Sequence, residues 1–330
     1  MATPMQGKIA LEEHFAPPDT FEVKFKYVST RLPAWPEFER RQVTFFEQAL
    51  RDMDKTGVEM SITSLGAPAI QALLDPVEAA EAARKTNDFL KARIDEHPGR
   101  LAGFAALPMQ DPEAAARELT RCVKELGFAG ALVNGFTQLQ DPDSALYYDL
   151  PRYLPFWETV EKLDVPFYLH PRNPMANQMR IYEGHPWFLG STWAFGIETA
   201  THALRLMASG LFDKYPGLKI VLGHLGEGLP SSLWRVDHRI KLNGEHTLAK
   251  KQLAEYFRSN FYITTSGNFH DATLAAALTE LGADRIMYSV DYPFEYFEEA
   301  AEWFDRAPIS EADRQKIGRL NALSLFKLDK

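Results

Sequence analysis

Four predicted strand ends carry ionisable side chains of the types that bind divalent metal ions, and three of these strand ends supply the candidate ligands. Glu12 and His14 lie at the end of one short apolar run. His170 and Asp291 each end another. Burying such groups without partners would cost several kcal/mol each, whereas one shared divalent ion satisfies them together. Two carboxylates and two imidazoles suit Zn²⁺ or Mn²⁺, so we expect these four residues to hold one such ion.

The local pattern around Glu12 supports this expectation without requiring it. Side chains alternate along a strand, so Glu12 and His14 should share one face and Glu13 the other. A solvated strand end could carry the same residues by chance, however. A lone histidine after a buried strand, such as His170, is usually a hydrogen-bonded core residue. Only the recurrence of ionisable residues at four strand ends favours the metal site.

His224 ends a further apolar run and has a glycine two residues after it and another just before it. We expect it outside the set of metal ligands. Glu227 could hydrogen-bond its ring and hold one tautomer, as in a general base with its orienting partner. Alternatively, Glu227 is simply a carboxylate in the first turn of the next helix.

Short apolar runs rich in β-forming residues alternate with helical patterns along the chain. The predicted strands are 9–15, 60–65, 101–107, 130–134, 166–170, 219–224, 261–266 and 286–291. The predicted helices include 76–96, 112–126, 156–163, 198–212, 229–241 and 272–281. Gly57, Gly127 and Gly282 separate a helical pattern from the following strand, where we expect left-handed helix ends.

The strict alternation predicts an α/β fold with parallel strands. Eight strands favour a closed (β/α)8 TIM barrel over an open doubly wound sheet, with residues 1–330 as a single domain. Long insertions follow the first and fifth predicted strands at residues 16–40 and 172–192, on the face where barrels build active sites. Residues 295–330 should form two closing helices, the second starting at Ser310.

The composition excludes several classes of protein. Apolar residues make up 45% and charged residues 25% of the 330, as in ordinary globular proteins. The 36 basic and 45 acidic side chains give a formal charge of -9 without a basic cluster, so nucleic acid is not an expected partner. No apolar run reaches the roughly 18 to 20 residues that span a bilayer. We therefore expect no membrane association, a cytoplasmic location, and a buried Cys122, the only cysteine.

Several segments resemble the amidohydrolase-superfamily decarboxylases. They are residues 7–14 (GKIALEEH), 121–135 (RCVKELGFAGALVNG), 164–174 (DVPFYLHPRNP), 223–228 (GHLGEG) and 264–269 (TTSGNF). The resemblance covers nearly the whole chain, although residues 19–40 match less well. It implies a barrel of the amidohydrolase type and a homotetramer. The family's metal ligands, its catalytic base and the partner of that base fall on Glu12, His14, His170 and Asp291, on His224, and on Glu227.

The resemblance implies a carboxy-lyase that removes CO2 from an ortho-hydroxybenzoate. Fungal relatives that act on 2,3-dihydroxybenzoate have alanine at the position of His14, which favours 2,6-dihydroxybenzoate, with resorcinol as the product. Decarboxylation of 2,3-dihydroxybenzoate or salicylate is an alternative, as is hydrolysis of a lactone or amide by a metal-activated water. A third alternative is a barrel that binds aromatic acids or partner proteins without catalysis.

The chemistry of the ring restricts the mechanism. Direct loss of CO2 would leave an aryl anion in the ring plane, where the π system cannot delocalise the charge. Protonating that carbon first lets an ortho oxygen carry the charge, so we expect the metal to bind this oxygen and the carboxylate. His224 would take the phenol proton. Asp291 would protonate the carbon, which requires it to loosen from the ion or be protonated transiently.

Some polar and aromatic residues near the predicted strand ends could contact a small aromatic carboxylate substrate. The candidates are Asn134, Arg235, Tyr27 and Phe294. Asn134 ends the fourth predicted strand, and Arg235 lies on the helix after residues 219–224. Phe15 and Tyr292 are further aromatic residues near the mouth. Each of these side chains could equally be structural.

Overall fold

The strands of the computed structural model form one main sheet and one small hairpin. The structure describes residues 4–17, 34–67 and 69–328, apart from the side chains of residues 142 and 143. The strands are β1 (Lys8–Phe15), β2 (Val58–Leu65), β3 (Leu101–Ala105), β4 (Gly130–Asn134), β5 (Thr137–Leu139), β6 (Asp141–Leu146), β7 (Phe167–His170), β8 (Ile220–Leu222), β9 (Phe261–Thr264) and β10 (Ile286–Met287).

Eight of these strands form the barrel. They pair in parallel in the order β1-β2-β3-β4-β7-β8-β9-β10. The predicted (β/α)8 TIM barrel is therefore confirmed. Strands β5 and β6 form an antiparallel hairpin after β4 that the sequence pattern did not predict.

Side chains bring the first and last strands of the barrel together, so that it is nearly closed. Ser289 Oγ accepts hydrogen bonds from the backbone N–H groups of Leu11 and Glu12, at 3.2 and 2.7 Å. The Glu13 carboxyl accepts one from the N–H of Val290 at 3.0 Å. Burial raises the pKa of Glu13 well above its usual range, so this carboxyl can bridge the strands in its neutral form.

Helices surround the strands, and several begin as their sequences predict. They are α1 (Trp35–Val43), α2 (Phe45–Thr56), α3 (Pro76–Glu96), α4 (Pro112–Lys124), α5 (Leu154–Leu163), α6 (Ala194–Ala208), α7 (Leu211–Lys214), α8 (Leu229–Leu242), α9 (Leu253–Asn260), α10 (Asp271–Leu281), α11 (Phe297–Arg306), α12 (Glu311–Gln315) and α13 (Asn321–Phe326). Asp75 and Asp111 cap α3 and α4 by accepting two backbone hydrogen bonds each. Cys122 is buried on α4, as predicted.

The structure agrees with some of the predicted left-handed helix ends and differs from others. Gly57 ends α2 with φ 72° and ψ 22°, the expected left-handed conformation, and Gly127 also has a positive φ of 74°. The prediction is wrong for Gly282, where φ is 73° but ψ is 163°. Glycine tolerates this conformation because it has no side chain, and the chain leaves the helix extended. The predicted helix 198–212 is divided into α6 and α7 at Gly210, whose φ is 77°.

Several barrel strands are shorter than predicted, and β8 and β10 differ most from their predicted ranges. β8 ends at Leu222 and β10 at Met287. Beyond these points the backbone turns to positive φ at His224 (52°) and Asp291 (81°), so it cannot continue a regular strand. The ionisable residues therefore follow the strands on short turns.

Short helical segments make up the described part of the second insertion and the C-terminal tail. Residues 18–33 of the first insertion lie outside the described part of the chain, and the second forms short 3₁₀ turns over Ala176–Tyr182, Pro186–Phe188 and Gly190–Thr192. Ser310 begins the second closing helical stretch by accepting a hydrogen bond from the N–H of Asp313. A π turn, Lys316–Leu320, joins α12 to α13. The single-domain organisation stays a prediction.

Apolar side chains fill the barrel interior and the layer between strands and helices. The inner cluster includes Ile9, Phe104 and Tyr168, and α13 adds Leu325 and Phe326. The rings of Phe104 and Phe326 lie 5.4 Å apart, and those of Phe104 and Tyr168 lie 5.8 Å apart. The last helix thus closes one end of the barrel interior. Among the described residues we find no helix with both the length and the apolar character needed to cross a bilayer.

His202 on α6 is a buried histidine in the outer layer. Its Nε2 accepts a hydrogen bond from the N–H of Tyr148 at 3.0 Å. Burial, helped by the positive charge of Arg205, lowers the pKa of His202 to about 3. The native state therefore holds the neutral ring under conditions in which an unfolded chain would bind a proton.

We predict that this histidine makes the protein sensitive to acid. Because its native pKa lies below the unfolded value of 6.5, protonation favours unfolding as the pH falls from 6.5 towards 3, by about 1.4 kcal/mol per pH unit. His202→Gln, whose amide oxygen can still accept the hydrogen bond, should lose less unfolding free energy between about pH 7 and pH 5. Urea unfolding at both pH values measures this. The exposed His246→Gln is the control, and equal losses in His202→Gln and wild type would contradict the prediction.

Candidate metal centre

Four side chains converge at the mouth of the barrel, as the sequence predicts. One ligand atom from each of Glu12, His14, His170 and Asp291 lies within 4.8 Å of the other three. His170 Nε2 is 3.2 Å from Glu12 Oε1, and His14 Nε2 is 3.4 Å from Asp291 Oδ1. Glu12 and His14 are completely buried. The spacing is compact enough for one cation to contact all four.

A β-bulge in β1 turns Glu12 and His14 inward. Between Ala10 and Glu13, β1 contains one residue more than the paired segment of β2. Leu11 belongs to the inner apolar cluster, and the extra residue lets Glu12 point inward directly after it. His14 then follows on the same face. Simple alternation along the whole strand would have put Leu11 and Glu12 on opposite faces.

Hydrogen bonds hold both histidine rings with Nε2 towards the cluster. His14 Nδ1 lies 3.0 Å from the Ser64 hydroxyl, and His170 Nδ1 donates to the carbonyl of Pro171 at 3.0 Å. Burial lowers the pKa of His14, which keeps the ring neutral. A neutral imidazole with one nitrogen fixed by a hydrogen bond is the usual form of a histidine metal ligand.

The two oxygens of Glu12 have different surroundings. Oε2 accepts hydrogen bonds from the hydroxyls of Tyr168 and Ser266 and from Thr264 Oγ1 at 3.4 Å. Oε1 faces the histidines, 3.2 Å from His170 Nε2. Burial opposes the charge of this carboxylate, but the neighbouring imidazoles, His224 first, hold the pKa of Glu12 below its usual range.

The polar atoms left without hydrogen-bond partners fit a cation. Among the described residues, Glu12 Oε1, His14 Nε2 and Asp291 Oδ1 are buried and have no hydrogen-bond partner. Leaving such atoms unsatisfied costs about 1–3 kcal/mol each, and more if they are charged. Two carboxylates and two imidazoles match the mixed oxygen and nitrogen sets that Zn²⁺ and Mn²⁺ accept.

His224 and Glu227 form a hydrogen-bonded pair beside the cluster. His224 Nδ1 lies 2.7 Å from Glu227 Oε1, and His224 Nε2 lies 3.6 Å from Asp291 Oδ2 and 3.8 Å from Glu12 Oε1. Burial of the ring favours its neutral form, but the charges of Glu227 and Glu12 outweigh it and raise the pKa of His224 well above its usual range. The geometry of the pair, with Nδ1 held by Glu227 and Nε2 facing the cluster, is that of a proton acceptor and its orienting carboxylate.

The turn that carries this pair has an unusual backbone. His224, Leu225 and Glu227 have φ values of 52°, 55° and 55°. Each residue other than glycine in this region is strained by about 1–3 kcal/mol. Backbone hydrogen bonds compensate, from Leu225 N–H to the Thr264 carbonyl and from Gly226 N–H to the Gly223 carbonyl, both at 2.7 Å.

The candidate substrate contacts differ in whether they lie near the metal-binding cluster. Asn134 ends β4 beside His170 in the register, and its Oδ1 is buried with no hydrogen-bond partner among the described residues. The Phe294 ring lies 6.1 Å from the ring of His14. Arg235 is exposed on α8, and no hydrogen bond within the described part of the chain joins it to the cluster. Tyr27 lies outside the described residues.

The two other aromatic residues near the barrel mouth, Phe15 and Tyr292, pack in the core. Phe15 is fully buried, with its ring 5.5 Å from that of Phe46. Tyr292 is buried against Phe45, with ring centroids 5.8 Å apart. Neither lies free to sandwich a substrate ring, because helix α2 covers both. Their packing favours the structural interpretation.

Sequence reasoning missed the hydroxyl groups around Glu12. Tyr168 lies two residues before His170, so strand alternation alone could have placed it inside the barrel. Thr264 and Ser266 belong to a segment that carried the family resemblance, but their type does not reveal a partner. The spacing between Tyr168 and His170 was therefore the one sequence signal that pointed to these partners. The partners became visible only when the nearly closed barrel brought β7 and β9 to face β1 across its interior.

A nearly closed (β/α)8 barrel with carboxylates and imidazoles gathered at one mouth defines the class of metal-dependent barrel enzymes. The sequence matches the amidohydrolase family over residues 14–328. The chain belongs to this family.

The relatives are similar over the whole length. The chain is 58% identical over 329 residues to the γ-resorcylate decarboxylase of Polaromonas sp., covering 99% of this chain and 100% of the relative. It is 57% identical over 332 residues to that of Rhodococcus jostii, with 99% and 100% covered. A crystal structure of dihydroxybenzoic acid decarboxylase from Polaromonas sp. with bound manganese and the inhibitor 2-nitroresorcinol has a TM-score of 0.94 and 58% identity, covering 99% of this chain and 98% of that one.

We predict that removing one imidazole weakens metal binding. The purified protein should contain about one equivalent of divalent metal, and His170→Ala should bind it at least on the order of 10-fold more weakly. Elemental analysis after dialysis against a chelator measures the loss. His185→Ala, which changes an exposed histidine, should keep its metal. A His170→Ala protein with full metal content and wild-type activity would contradict the assignment.

Proposed function

We propose that this enzyme catalyses the metal-dependent, reversible, non-oxidative decarboxylation of 2,6-dihydroxybenzoate to resorcinol and CO2. The observation that carries the proposal is the buried four-residue cluster with the His224–Glu227 pair beside it. It occurs in a chain that is 58% identical to a γ-resorcylate decarboxylase along its whole length. The reaction is that of a carbon–carbon lyase.

We infer that Glu12, His14, His170 and Asp291 hold the ion. Their donor set suits Zn²⁺ and Mn²⁺. The manganese in the crystal structure of the Polaromonas enzyme favours Mn²⁺. Elemental analysis of the protein as purified decides between the two metals.

The proposed chemistry begins with the phenol proton. A bound divalent ion supplies Lewis-acid stabilisation of negative charge on the ortho oxygen and the carboxylate. His224 accepts the phenol proton at Nε2, because Glu227 occupies its Nδ1 at 2.7 Å. Asp291, once it has taken up a proton from solvent, gives that proton to the carbon that bears the carboxylate, while His224 holds the phenol proton for return to the ortho oxygen of the product. The ring loses aromaticity for that step and regains it when CO2 departs.

The positions of the two proton-transfer groups support this division of roles. Asp291 Oδ2 is 3.6 Å from His224 Nε2, so both groups face the same small volume at the barrel mouth. Asp291 Oδ1 has no hydrogen-bond partner among the described residues and is the oxygen nearer to His14. One oxygen can thus serve as a ligand while the other exchanges a proton.

Substrate recognition stays a proposal for each candidate. Asn134 Oδ1 could accept a hydrogen bond from a substrate hydroxyl, and Phe294 could pack against the ring. Arg235 and Tyr27 stay predicted contacts.

We also propose a homotetramer in the cytoplasm. Trp187, Phe188 and Trp193 carry large exposed rings in and just after the second insertion, and Ile197 on α6 is exposed as well. Apolar side chains of this size often mark a protein interface. Light scattering of the purified protein measures the oligomeric state.

We predict that His224→Asn keeps its metal and loses turnover. The asparagine removes the proton acceptor but none of the four proposed ligands, so kcat should fall by on the order of 10²–10⁴-fold. Metal analysis and steady-state kinetics on the same preparation test this. If metal and activity disappear together, His224 is a ligand and the proposed roles are wrong.

We further predict that turnover requires a hydroxyl ortho to the carboxylate. That oxygen carries the charge produced by protonation at carbon, so benzoate and 3,5-dihydroxybenzoate should be inert. Methylating both ortho hydroxyls of 2,6-dihydroxybenzoate should abolish turnover. In D2O the parent compound should yield resorcinol with one deuteron at the vacated carbon, and resorcinol should be carboxylated in concentrated bicarbonate.

Two outcomes would contradict this mechanism. Efficient decarboxylation of a substrate without an ortho hydroxyl would exclude charge transfer to that oxygen. Hydrolysis of a lactone or amide, with 2,6-dihydroxybenzoate left unchanged, would assign the chain to the hydrolases of the same family. Product analysis by chromatography distinguishes the two.

A further inference from the structure

The Glu227 carboxylate lies against the first turn of α6 at a position that has no side chain. Gly196 is the third residue of that helix. A β-carbon at this position would stand 3.1 Å from Glu227 Oε2, and that oxygen is the one heavy atom of the described neighbours within 4 Å of it. Ordinary van der Waals contact begins at 3.4 Å. A methyl group there would therefore displace the carboxylate and disturb little else.

The carboxylate has little freedom to accommodate such a group. Its side chain is only 4% exposed, and its other oxygen, Oε1, is held at 2.7 Å by His224 Nδ1. The backbone of Glu227 is itself fixed in the left-handed turn after β8. A displacement of Oε2 would therefore also move Oε1 and, through its hydrogen bond, the imidazole of His224.

The start of α6 also suits a negative charge. No side chain caps its first turn, so its free N–H groups retain their partial positive charge. The carboxylate beside Gly196 lies close to these groups. Glycine at position 196 thus permits the close approach of Glu227 Oε2 to the start of this helix.

Other glycines mark separate parts of the same site. A β-carbon on Gly223 would stand 2.6 Å from Glu12 Oε2, so that position adjoins a proposed metal ligand. A β-carbon on Gly267 would stand 3.1 Å from His224 Cδ2, on the ring itself. Gly196 differs from both because it contacts only the orienting carboxylate.

We propose that Gly196 is a positioning residue for the catalytic base. Its missing side chain sets the position of Glu227, which in turn sets the ring of His224. The inference rests on the proposed roles of these two residues. According to this proposal, the packing of α6 affects turnover without affecting metal binding.

The direct test is Gly196→Ala in the metal-loaded enzyme. Alanine is the better helix former, so the thermal midpoint should stay the same or rise. The metal content should not change, since no proposed ligand is touched. We expect kcat to fall about tenfold, part of the 10²–10⁴-fold that a well-placed base contributes, with KM for 2,6-dihydroxybenzoate changed less than about twofold.

A double-variant cycle shows whether the effect passes through the carboxylate. In the Glu227→Ala background there is no carboxylate to displace, so adding Gly196→Ala should change kcat less than about twofold. Gly217→Ala is a matched control. Its β-carbon would also stand 3.1 Å from a carboxylate oxygen, that of Glu161, on the protein surface. This variant should keep wild-type kcat.

Three results would overturn the inference. One is a Gly196→Ala enzyme with wild-type kcat, and another is an equal loss in the wild-type and Glu227→Ala backgrounds. A fall in metal content or thermal midpoint that parallels the fall in kcat would show a general structural defect instead. If Glu227→Ala itself keeps wild-type kcat, the proposed base pair fails and this inference fails with it, which separates the two cases.

Discussion

The burial of the Glu12 carboxylate is the constraint on which the rest of the site depends. A charged group without solvent needs partners on every side, and here they come from β7, β9 and the turn after β8. Tyr168 on β7 and Thr264 on β9 approach one oxygen, and the histidines approach the other. These partners meet only if the barrel closes with the correct register. The same contacts therefore hold the barrel mouth together and create an electron-rich centre for a cation.

Tyr168 connects that centre to the stability of the fold. Its ring packs in the inner apolar cluster against Phe104, which in turn contacts Phe326 on the last helix. Its hydroxyl reaches Glu12. A column of side chains thus runs from the helix that closes one end of the barrel to the cluster at the other end. Close packing along this column restricts how far the carboxylate can move.

The turn after β8 separates the proposed base from the proposed metal ligands. A regular strand would have carried His224 further along the barrel wall. Left-handed residues instead bend the chain sharply and set Nε2 at 3.6–3.8 Å from the nearest carboxylate oxygens of the cluster. The strain of this turn is balanced by backbone hydrogen bonds to β9 and within the turn. This strain at the proposed base marks a backbone conformation that local preferences alone would not favour.

Residue order alone determined the alternation of strands and helices and the types of the proposed ligands near the strand ends, and it placed Glu227 within reach of the His224 ring, because each depends on neighbours in the chain or on a repeated pattern. The tertiary structure decided what depends on distant segments. The bulge in β1 exists only relative to β2, and it turns Glu12 inward beside Leu11. The hydroxyl partners of Glu12 come from residues 156 and 254 positions away along the chain. The positioning role proposed for Gly196 can be recognised only when α6 packs against Glu227. A glycine in a sequence does not show which side chain occupies the space beside it.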